Sequence, residues 1–313
     1  MKISILLPYK ENFSPEYPGA VSLFVYETSK ISKFKKNITV FGNTNFKKKF
    51  NIKYQNIDLS RNLFSSQTRN YVKRFIKLEK KFKSTLIEVH NRPSYIHILN
   101  TEVNNKIYTL YFHNDPLSMD GSKTIDQRKK LLNICYKIIF NSAWSKKRFL
   151  EGLENKFVNS NKLLIFYQSA KKSNSSIIKN KKKWITFVGK LNKAKGYDVF
   201  AAAIKKILSK HKNWKAIIIG DEKREKITLK HKNAKLLGFK KHIEVLNIFK
   251  KTSITVACSR WDEPFGRTSL EASANGCAVI ITNKGGLPET VTNAKILKNL
   301  NIDNLVKTID ALI

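Results

Sequence analysis

The segment SITVACSRWDEPFGRTSLEASANGCAVIITN, residues 253–283, decides the fold class. A β-branched apolar run leads into a loop that holds Pro264 and Gly266, a helical stretch covers residues 266–276, and a second β-branched run follows. Two strands joined through one helix form a βαβ unit, and strands connected in this way lie parallel. The segment therefore predicts an α/β domain built on a parallel sheet.

The same alternation of strand and helix patterns fills the rest of the chain, which indicates further βαβ units. Residues 169–183 interrupt it with a polar stretch rich in serine and lysine, the composition of a linker. We predict two doubly wound domains, 1–170 and 184–313, joined by a linker at 171–183. The predicted strands lie at 3–8, 38–43, 85–91, 106–115 and 136–142, then at 184–190, 214–221, 234–239, 253–259 and 277–283.

Length and composition agree with two packed domains. The chain has 313 residues, of which 42% are hydrophobic, enough for two cores and too many for a disordered protein. No apolar run approaches the roughly 20 residues that span a bilayer, and the first residues lack a signal peptide. We therefore expect a cytoplasmic protein. Three scattered cysteines, Cys135, Cys258 and Cys277, indicate buried apolar side chains and no metal or disulfide framework.

The chain is strongly basic, with 60 Lys and Arg against 23 Asp and Glu and a net charge of +37. Such a surplus favours a polyanionic partner, either nucleic acid or an anionic membrane surface. It also arises from composition alone, because lysine, asparagine and isoleucine are abundant along the whole chain. We take composition as the main cause.

The stretch QTRNYVKRFIKLEKKF, residues 67–82, is the strongest amphipathic helix pattern. It places Tyr71, Phe75, Leu78 and Phe82 on one stripe among six basic residues. Two interpretations stay open. The helix packs its stripe on the first sheet as an ordinary core helix, or it lies on the anionic inner face of the membrane as a peripheral attachment.

Ligands of open parallel sheets bind beyond the carboxyl ends of the strands, so two such domains predict a site in the cleft between them. In FVGKLNKAKGYDVF, residues 187–200, a strand ends at Gly189, and Lys190 and Lys195 precede a helix. The two lysines suit phosphate groups or are simply solvated charges. The phosphate-loop pattern GxxxxGK[ST] is absent.

Glu263 and Glu271 flank the start of the helix that follows Gly266, and a helix N-terminus attracts phosphate. The pair suits two glycosidase acids, or one acid for ribose hydroxyls and one for sugar hydroxyls with a diphosphate between them. The second division fits a nucleotide-sugar better. The turn at Gly285 and Gly286 borders this region, where a structural role is favoured.

EPFGRTSLEASANGCAVIITNKGGLPETV resembles the E-x7-E region of retaining glycosyltransferases with the GT-B fold, family 4 or "group 1", and FVGKLNKAKGYDVF resembles their VGRL…KG segment. The likeness is close over 184–292 and loose before it. It implies a GT-B fold, with two Rossmann-like doubly wound parallel-sheet α/β domains facing across a cleft. One helix is predicted at 302–312. The family has a last helix that crosses back onto the first domain, and whether this chain keeps that helix stays open.

The activity implied by the resemblance is transfer of a sugar from a nucleotide-sugar to a glycan or lipid-linked acceptor, an EC 2.4 reaction with retention and without metal. The expected role is cell-surface polysaccharide assembly in the cytoplasm or at the inner membrane face. The base pocket is expected near 220–222 and 238–243. The implied donor-site residues of the second domain are Gly189, Lys190 and Lys195 for phosphates, Glu263, Phe265, Gly266, Arg267 and Thr268 for sugar and phosphates, and Glu271 for ribose, with Lys190, Lys195 and Glu263 also catalytic.

In the first domain the resemblance implies a glycine loop before the first helix and a histidine beside the donor sugar. Gly19 matches the loop, although alanine follows it where the family commonly has a second glycine. His113 matches the catalytic histidine, while a lone histidine at a strand end is otherwise more often structural. His90, Asn91 and Arg92 are expected on the acceptor side.

Rival functions remain at this level. One is a nucleic-acid-binding protein or a non-catalytic GT-B scaffold, and another is a sugar-nucleotide epimerase. The sequence carries no helix-turn-helix, zinc, RRM or KH signature, so we expect no specific nucleic acid partner. The expected partners are a nucleotide-sugar, a glycan or lipid-linked acceptor, and an anionic membrane surface.

Overall fold

A computed structural model describes residues 1–59, 66–103, 105–174 and 181–313. The chain divides into two compact units, Met1–Tyr167 and Gln168–Ile313. Residues 175–180 of the predicted linker lie outside the described residues. Each unit is built on one parallel sheet with helices packed against it, so the predicted α/β class is confirmed.

The first unit contains a seven-stranded sheet in the order β3-β2-β1-β4-β5-β6-β7, in which every neighbouring pair is parallel. The strand β1 lies at the point where the order reverses, between β2 and β4. The strands are β1 Ile3–Leu6, β2 Ile38–Gly42, β3 Tyr54–Asn56, β4 Leu86–His90, β5 Ile107–Phe112, β6 Lys137–Phe140 and β7 Leu163–Ile165, and the helices are α1 Ala20–Ile31, α2 Gln67–Phe82, α3 Pro93–Glu102, α4 Ile125–Ile134 and α5 Ala143–Leu150.

The second unit contains a six-stranded parallel sheet in the order β10-β9-β8-β11-β12-β13. Here the order reverses between β8 and β11, and the loops after these two strands carry most of the predicted donor-site residues. The elements are β8 Lys182–Val188, α6 Tyr197–Lys210, β9 Lys215–Ile219, β10 Ala234–Leu236, α7 His242–Phe249, β11 Thr252–Ala257, α8 Arg267–Ala274, β12 Ala278–Thr282, β13 Lys295–Leu297 and α9 Ile302–Asp310.

The three cysteines are buried, as predicted, and none of them forms a disulfide in the structure. Burial raises the pKa of the thiols of Cys135 and Cys258 to about 12. A thiol with so high a pKa forms very little thiolate at neutral pH. These side chains therefore act as small apolar packing groups.

The apolar stripe of α2 belongs to the core of the first unit. Tyr71 and Phe75 are fully buried, and Leu78 and Phe82 pack against the same cluster. The interpretation of an ordinary packed helix is therefore correct, and the stripe is not available to a membrane. The basic side chains of α2 form its exposed face. Along the described residues, no helix is long and apolar enough to cross a bilayer.

A buried carboxylate joins α2 to β1 and to the segment that precedes β4. Glu79 is fully buried, and its two oxygens accept hydrogen bonds from Ser4 Oγ at 2.6 Å, Ser84 N at 2.8 Å and Ser84 Oγ at 2.6 Å. Lys106 Nζ lies 3.3 Å from Oε1. Since a buried carboxylate is tolerated only when it is paired and hydrogen-bonded, this cluster holds three elements at fixed positions.

Replacing Glu79 with alanine should lower the free energy of unfolding by about 3 kcal/mol, because three donors and an ammonium group lose their acceptor in the interior. Urea denaturation followed by circular dichroism measures the change. The matched control is Glu102→Ala, an exposed acid on α3, which should leave the midpoint nearly unchanged. Equal midpoints for the two variants would contradict this role for Glu79.

Candidate functional site

The loop after β8 is fixed by direct contacts between backbone atoms. A Cβ atom placed on Gly220 would lie 1.8 Å from the carbonyl oxygen of Gly189, and one placed on Gly196 would lie 2.0 Å from the carbonyl oxygen of Cys258. Gly196 also adopts the left-handed conformation, with φ of 72°, at the start of α6. Only glycine fits at positions 196 and 220, and the loop between residues 189 and 196 is held close to the ends of β9 and β11.

Two lysines project from this loop, and the structure places them differently. Lys195 forms an ion pair with Glu263, and its backbone N–H donates to Asn192 Oδ1 at 3.0 Å. Lys190 is exposed and has no ion-pair partner in the described part of the chain. Lys195 and Glu263 therefore meet, as two residues of one site must, while Lys190 offers an unpaired charge at the same edge of the sheet.

Glu263 is held through its backbone as well as its side chain. Gly286 N donates to the carbonyl oxygen of Glu263 at 2.6 Å, and a Cβ on Gly285, with φ of 59°, would lie 2.2 Å from that oxygen. The Gly285–Gly286 turn thus acts as a support for the acidic loop. This agrees with the structural role that the sequence favoured for the turn.

The helix α8 begins directly after this loop. Gly266 is its N-cap residue, with φ of 140°, and as a glycine it has no side chain that could cap the first turn. Thr268 lies in that turn, and Phe265, the loop residue before Gly266, is buried. A helix start without a side-chain cap presents N–H groups and the positive end of the helix dipole, which together suit an anionic ligand.

Glu271 lies within α8 and is almost completely buried. Its Oε1 atom accepts from His242 Nε2 at 2.7 Å and from Arg267 Nε at 2.6 Å. Burial alone would raise the pKa of Glu271, but the hydrogen bond from His242 and the charge of Arg267 hold the pKa below its ordinary value. Glu271 is therefore a carboxylate at neutral pH. His242 was not singled out from the sequence, although it lies within the expected base-pocket segment.

The lowered pKa of Glu271 has a consequence for acid stability. A carboxyl with a lowered folded-state pKa stabilises the fold above its unfolded pKa, and this contribution is lost as the pH falls through the folded value. Glu271→Gln should therefore lose less stability than wild type on acidification from about pH 6 to about pH 3. Urea titrations across that range measure the difference. Asp262→Asn, an exposed neighbour, should retain the wild-type slope; a slope unchanged in Glu271→Gln contradicts the assignment.

Gly285→Ala tests the support of Glu263 by the turn. Alanine at 285 meets both an unfavourable positive φ and the carbonyl of Glu263, so the loss of stability should exceed the roughly 1–2 kcal/mol of the backbone term alone. Gly238→Ala is the control, because Gly238 has φ of 65° and no atom within 4 Å of the added Cβ. Thermal unfolding of both variants measures the two losses of stability. Equal losses would mean that the contact with Glu263 is unimportant.

In the first unit, His113 lies directly after β5 at the end of a chain of polar side chains. His113 Nε2 is 2.9 Å from His90 Nδ1, and His90 Nε2 is 2.8 Å from Glu88 Oε1. Burial, with a smaller contribution from the neighbouring His90, holds the pKa of His113 well below its usual value. The imidazole of His113 is therefore neutral at physiological pH.

The three residues expected on the acceptor side are largely engaged in internal contacts. His90 is fully buried with both ring nitrogens bonded, and Asn91 Oδ1 accepts from the backbone N–H groups of His113 and Asn114 at 3.1 and 3.0 Å. Arg92 donates to the carbonyl of Asn91 and remains half-buried. Arg92 is the member of the trio with polar surface left for a ligand, while His90 and Asn91 position His113.

Gly19 precedes α1 as the resemblance implies, but its surroundings contain an unexpected acid. Glu11 Oε1 accepts from Ser22 N, in the first turn of α1, at 2.9 Å, and a Cβ on Gly19 would lie 2.0 Å from the same oxygen. Burial raises the pKa of Glu11. An anionic ligand could reach this helix start only by displacing the carboxylate. The sequence gives no local signal for Glu11, since the contact joins a loop to a helix eleven residues later.

Within the described ranges, no three His, Cys, Asp or Glu side chains are grouped as a metal site would require. Comparison with known proteins finds a family model that matches the second unit. Residues 168–313, slightly less than half of the chain, match the family model described as "Glycosyl transferases group 1". We refer to these matched residues as the group 1 domain. The ion pair at Glu263, the start of α8 and the buried Glu271 all belong to this group 1 domain.

Curated relatives extend the likeness beyond the group 1 domain. Spore coat protein SA of Bacillus subtilis (strain 168) is 25% identical over 242 residues, which cover 69% of this chain and 64% of that protein. The lipopolysaccharide core biosynthesis mannosyltransferase LpsB of Rhizobium meliloti (strain 1021) is 29% identical over 142 residues, 42% of this chain and 40% of LpsB. The chain thus spans less than two thirds of the length of these relatives.

The whole chain also resembles solved structures. HepE of Anabaena, crystallised in complex with UDP and glucose, matches with a TM-score of 0.74 over 99% of this chain and 89% of HepE, at 16% sequence identity. At this identity the likeness concerns the fold. Together with the two parallel sheets, it confirms the predicted GT-B fold class.

Proposed function

We propose that the chain is a retaining glycosyltransferase of family 4, which moves a sugar from a nucleotide-sugar to a glycan or lipid-linked acceptor. One observation carries the proposal. In the group 1 domain, Glu263 and Glu271 lie on either side of the start of α8, whose N-cap residue Gly266 has no side chain, and each acid is paired with a cation. Carboxylates accept hydrogen bonds from hydroxyl groups, and the helix start between them suits a diphosphate.

Each of these groups binds a different part of the nucleotide-sugar donor. Glu271, held by His242 and Arg267, accepts hydrogen bonds from the ribose hydroxyls. Glu263 accepts from the hydroxyls of the transferred sugar. Lys195 is one-third exposed, so its ammonium group can turn from Glu263 towards a phosphate. In support, HepE has been crystallised with UDP and with UDP-glucose.

The proposed reaction is attack on the front face of the sugar, which retains the anomeric configuration. The acceptor hydroxyl approaches on the side from which the diphosphate leaves, and the leaving phosphate takes its proton. Negative charge grows on the diphosphate, where Lys190, Lys195 and the N–H groups of α8 stabilise it. Removing one such donor typically costs about 3–4 kcal/mol of transition-state stabilisation. Because these cations balance the charge, we propose that no metal is needed and that neither glutamate forms a bond to the sugar.

The proposed role is assembly of a cell-surface polysaccharide in the cytoplasm or at the inner membrane face. The name of LpsB, a mannosyltransferase of lipopolysaccharide core biosynthesis, supports this class of acceptor. The exposed basic face of α2, which includes Lys73, Lys77 and Lys80, would favour an anionic lipid surface by electrostatics alone.

Thermal unfolding with UDP, GDP, ADP and their sugar conjugates, in the presence of EDTA, tests the donor site. One nucleotide should stabilise the protein, by about 2.7 kcal/mol at 100 times its dissociation constant. Glu271→Ala should abolish the shift because the ribose loses its acceptor. Asp262→Ala, which alters a neighbouring exposed acid, is the control and should retain it.

Other outcomes would overturn the proposal. A shift that requires Mg²⁺ contradicts metal independence. No shift with any nucleotide, together with tight and salt-sensitive binding of DNA or RNA, favours a nucleic-acid-binding scaffold. Epimerisation of a UDP-sugar without acceptor favours an epimerase.

A further inference from the structure

We propose that Glu88, acting through His90, holds His113 in the tautomer whose unprotonated Nδ1 accepts a hydrogen bond from a hydroxyl group of a sugar substrate. Glu88 and His90 are then positioning residues, and His113 is the residue that touches the ligand. The substrate class rests on the proposed function, whereas the order of protons along the relay Glu88–His90–His113 does not.

The relay follows from the alternation of side chains along two neighbouring strands. Glu88 and His90 are two residues apart on β4, and Tyr111 and His113 are two residues apart at the end of β5, so each pair lies on one face of the sheet. His90 is directly opposite Tyr111 in the parallel register. Their rings stack with centroids 4.9 Å apart and an interplanar angle of 6°. The backbone therefore fixes the order of the polar side chains.

The carboxylate at one end orders the protons. An ionised carboxylate only accepts hydrogen bonds, so the nitrogen of His90 that lies 2.8 Å from Glu88 carries a proton. In a neutral imidazole the other nitrogen, Nδ1, is then an acceptor. His113 Nε2 lies 2.9 Å from that atom and must donate to it. The remaining nitrogen of His113, Nδ1, is left without a proton.

With Glu88 ionised, the alternative proton order requires a charged His90. If His90 were doubly protonated, it would donate to His113 Nε2, and His113 would carry its proton on Nδ1. Both rings lie in the interior, and Phe24 of α1 packs edge-on against His113 with ring centroids 5.1 Å apart. Burial of this kind favours an uncharged ring at His113.

The unprotonated nitrogen has no partner in the described part of the chain. The residue His113 is only 8% exposed, and its Nδ1 atom is buried and makes no hydrogen bond. Buried polar atoms in native proteins are nearly always satisfied. An unprotonated ring nitrogen accepts a hydrogen bond and therefore needs a donor. A neutral imidazole ring does not attract an anion. A sugar hydroxyl supplies the donor, whereas a phosphate or carboxylate supplies only acceptors.

The experiment is long-range proton–nitrogen NMR on the full chain with ¹⁵N-labelled histidine. The six histidines are assigned by single substitutions. His113 should show a protonated Nε2 and a bare Nδ1, and His90 should show the same pattern. A proton on His113 Nδ1, or two protons on His90, overturns the proposal.

Variants of Glu88 separate positioning from simple packing. In Glu88→Leu the acceptor is lost, so the tautomers of both rings should mix and kcat/KM should fall about 10-fold to 100-fold. Glu88→Gln keeps an acceptor oxygen and should restore both the tautomer and the activity. His97→Gln removes a histidine of the same unit that bonds instead to Gly121 O, and it should leave the His113 signals unchanged. A wild-type tautomer in Glu88→Leu contradicts the relay, and if that variant fails to fold, the wild-type and Glu88→Gln spectra still decide.

Addition of UDP-glucose, GDP-mannose or UDP alone tests the ligand. A sugar nucleotide that stabilises the protein should shift the His113 Nδ1 signal, and the bare nucleoside diphosphate should not. Thermal stabilisation without that shift overturns the hydroxyl contact. Absence of any stabilisation refutes the proposed function instead, and the tautomers of the unliganded protein then still support or overturn the positioning by Glu88.

Discussion

Direct contact of backbone with backbone at the carboxyl edge of the second sheet is the constraint on which the candidate donor site depends. Gly196 and Gly220 allow the ends of β8, β9 and β11 to approach until an added methyl group would overlap a carbonyl oxygen. This approach places Lys195 against Glu263, close to the start of α8 in the sequence. Main-chain packing that requires glycine thus sets the positions of the charged groups in this site.

The acids of this basic chain are used selectively. The chain has 23 acidic residues against 60 basic ones, so an exposed carboxylate easily finds a cationic neighbour. The buried carboxylates therefore tell more about structure and function than the exposed ones. Glu79 joins elements of the first core, Glu11 occupies the start of α1, and Glu271 is held by two donors. Each has a different task, and burial together with the identity of its partners distinguishes them more clearly than spacing in the sequence does.

The sequence predicts the helices and strands that have a long, periodic pattern of apolar residues. It does not predict the elements that lack such a pattern. The strand β3 has three residues, none of them buried, and α3 begins at Pro93, two residues after the end of a predicted strand. The helix α4 has a readable signal, the capping box between Thr124 and Gln127. The polar alternation around His90 was also readable, because period two places Glu88 on the same face, whereas the contact of Glu11 with α1 arises from tertiary packing alone.

The burial of the cysteines has a practical consequence for work on this molecule. All three thiols of the chain are enclosed, and those of Cys135 and Cys258 have pKa values of about 12. Alkylating reagents and mild oxidants attack thiolate, so the folded chain should resist both. A single cysteine introduced on the surface of either unit would then be the one reactive thiol. Spectroscopic probes could be attached there without first removing the native cysteines.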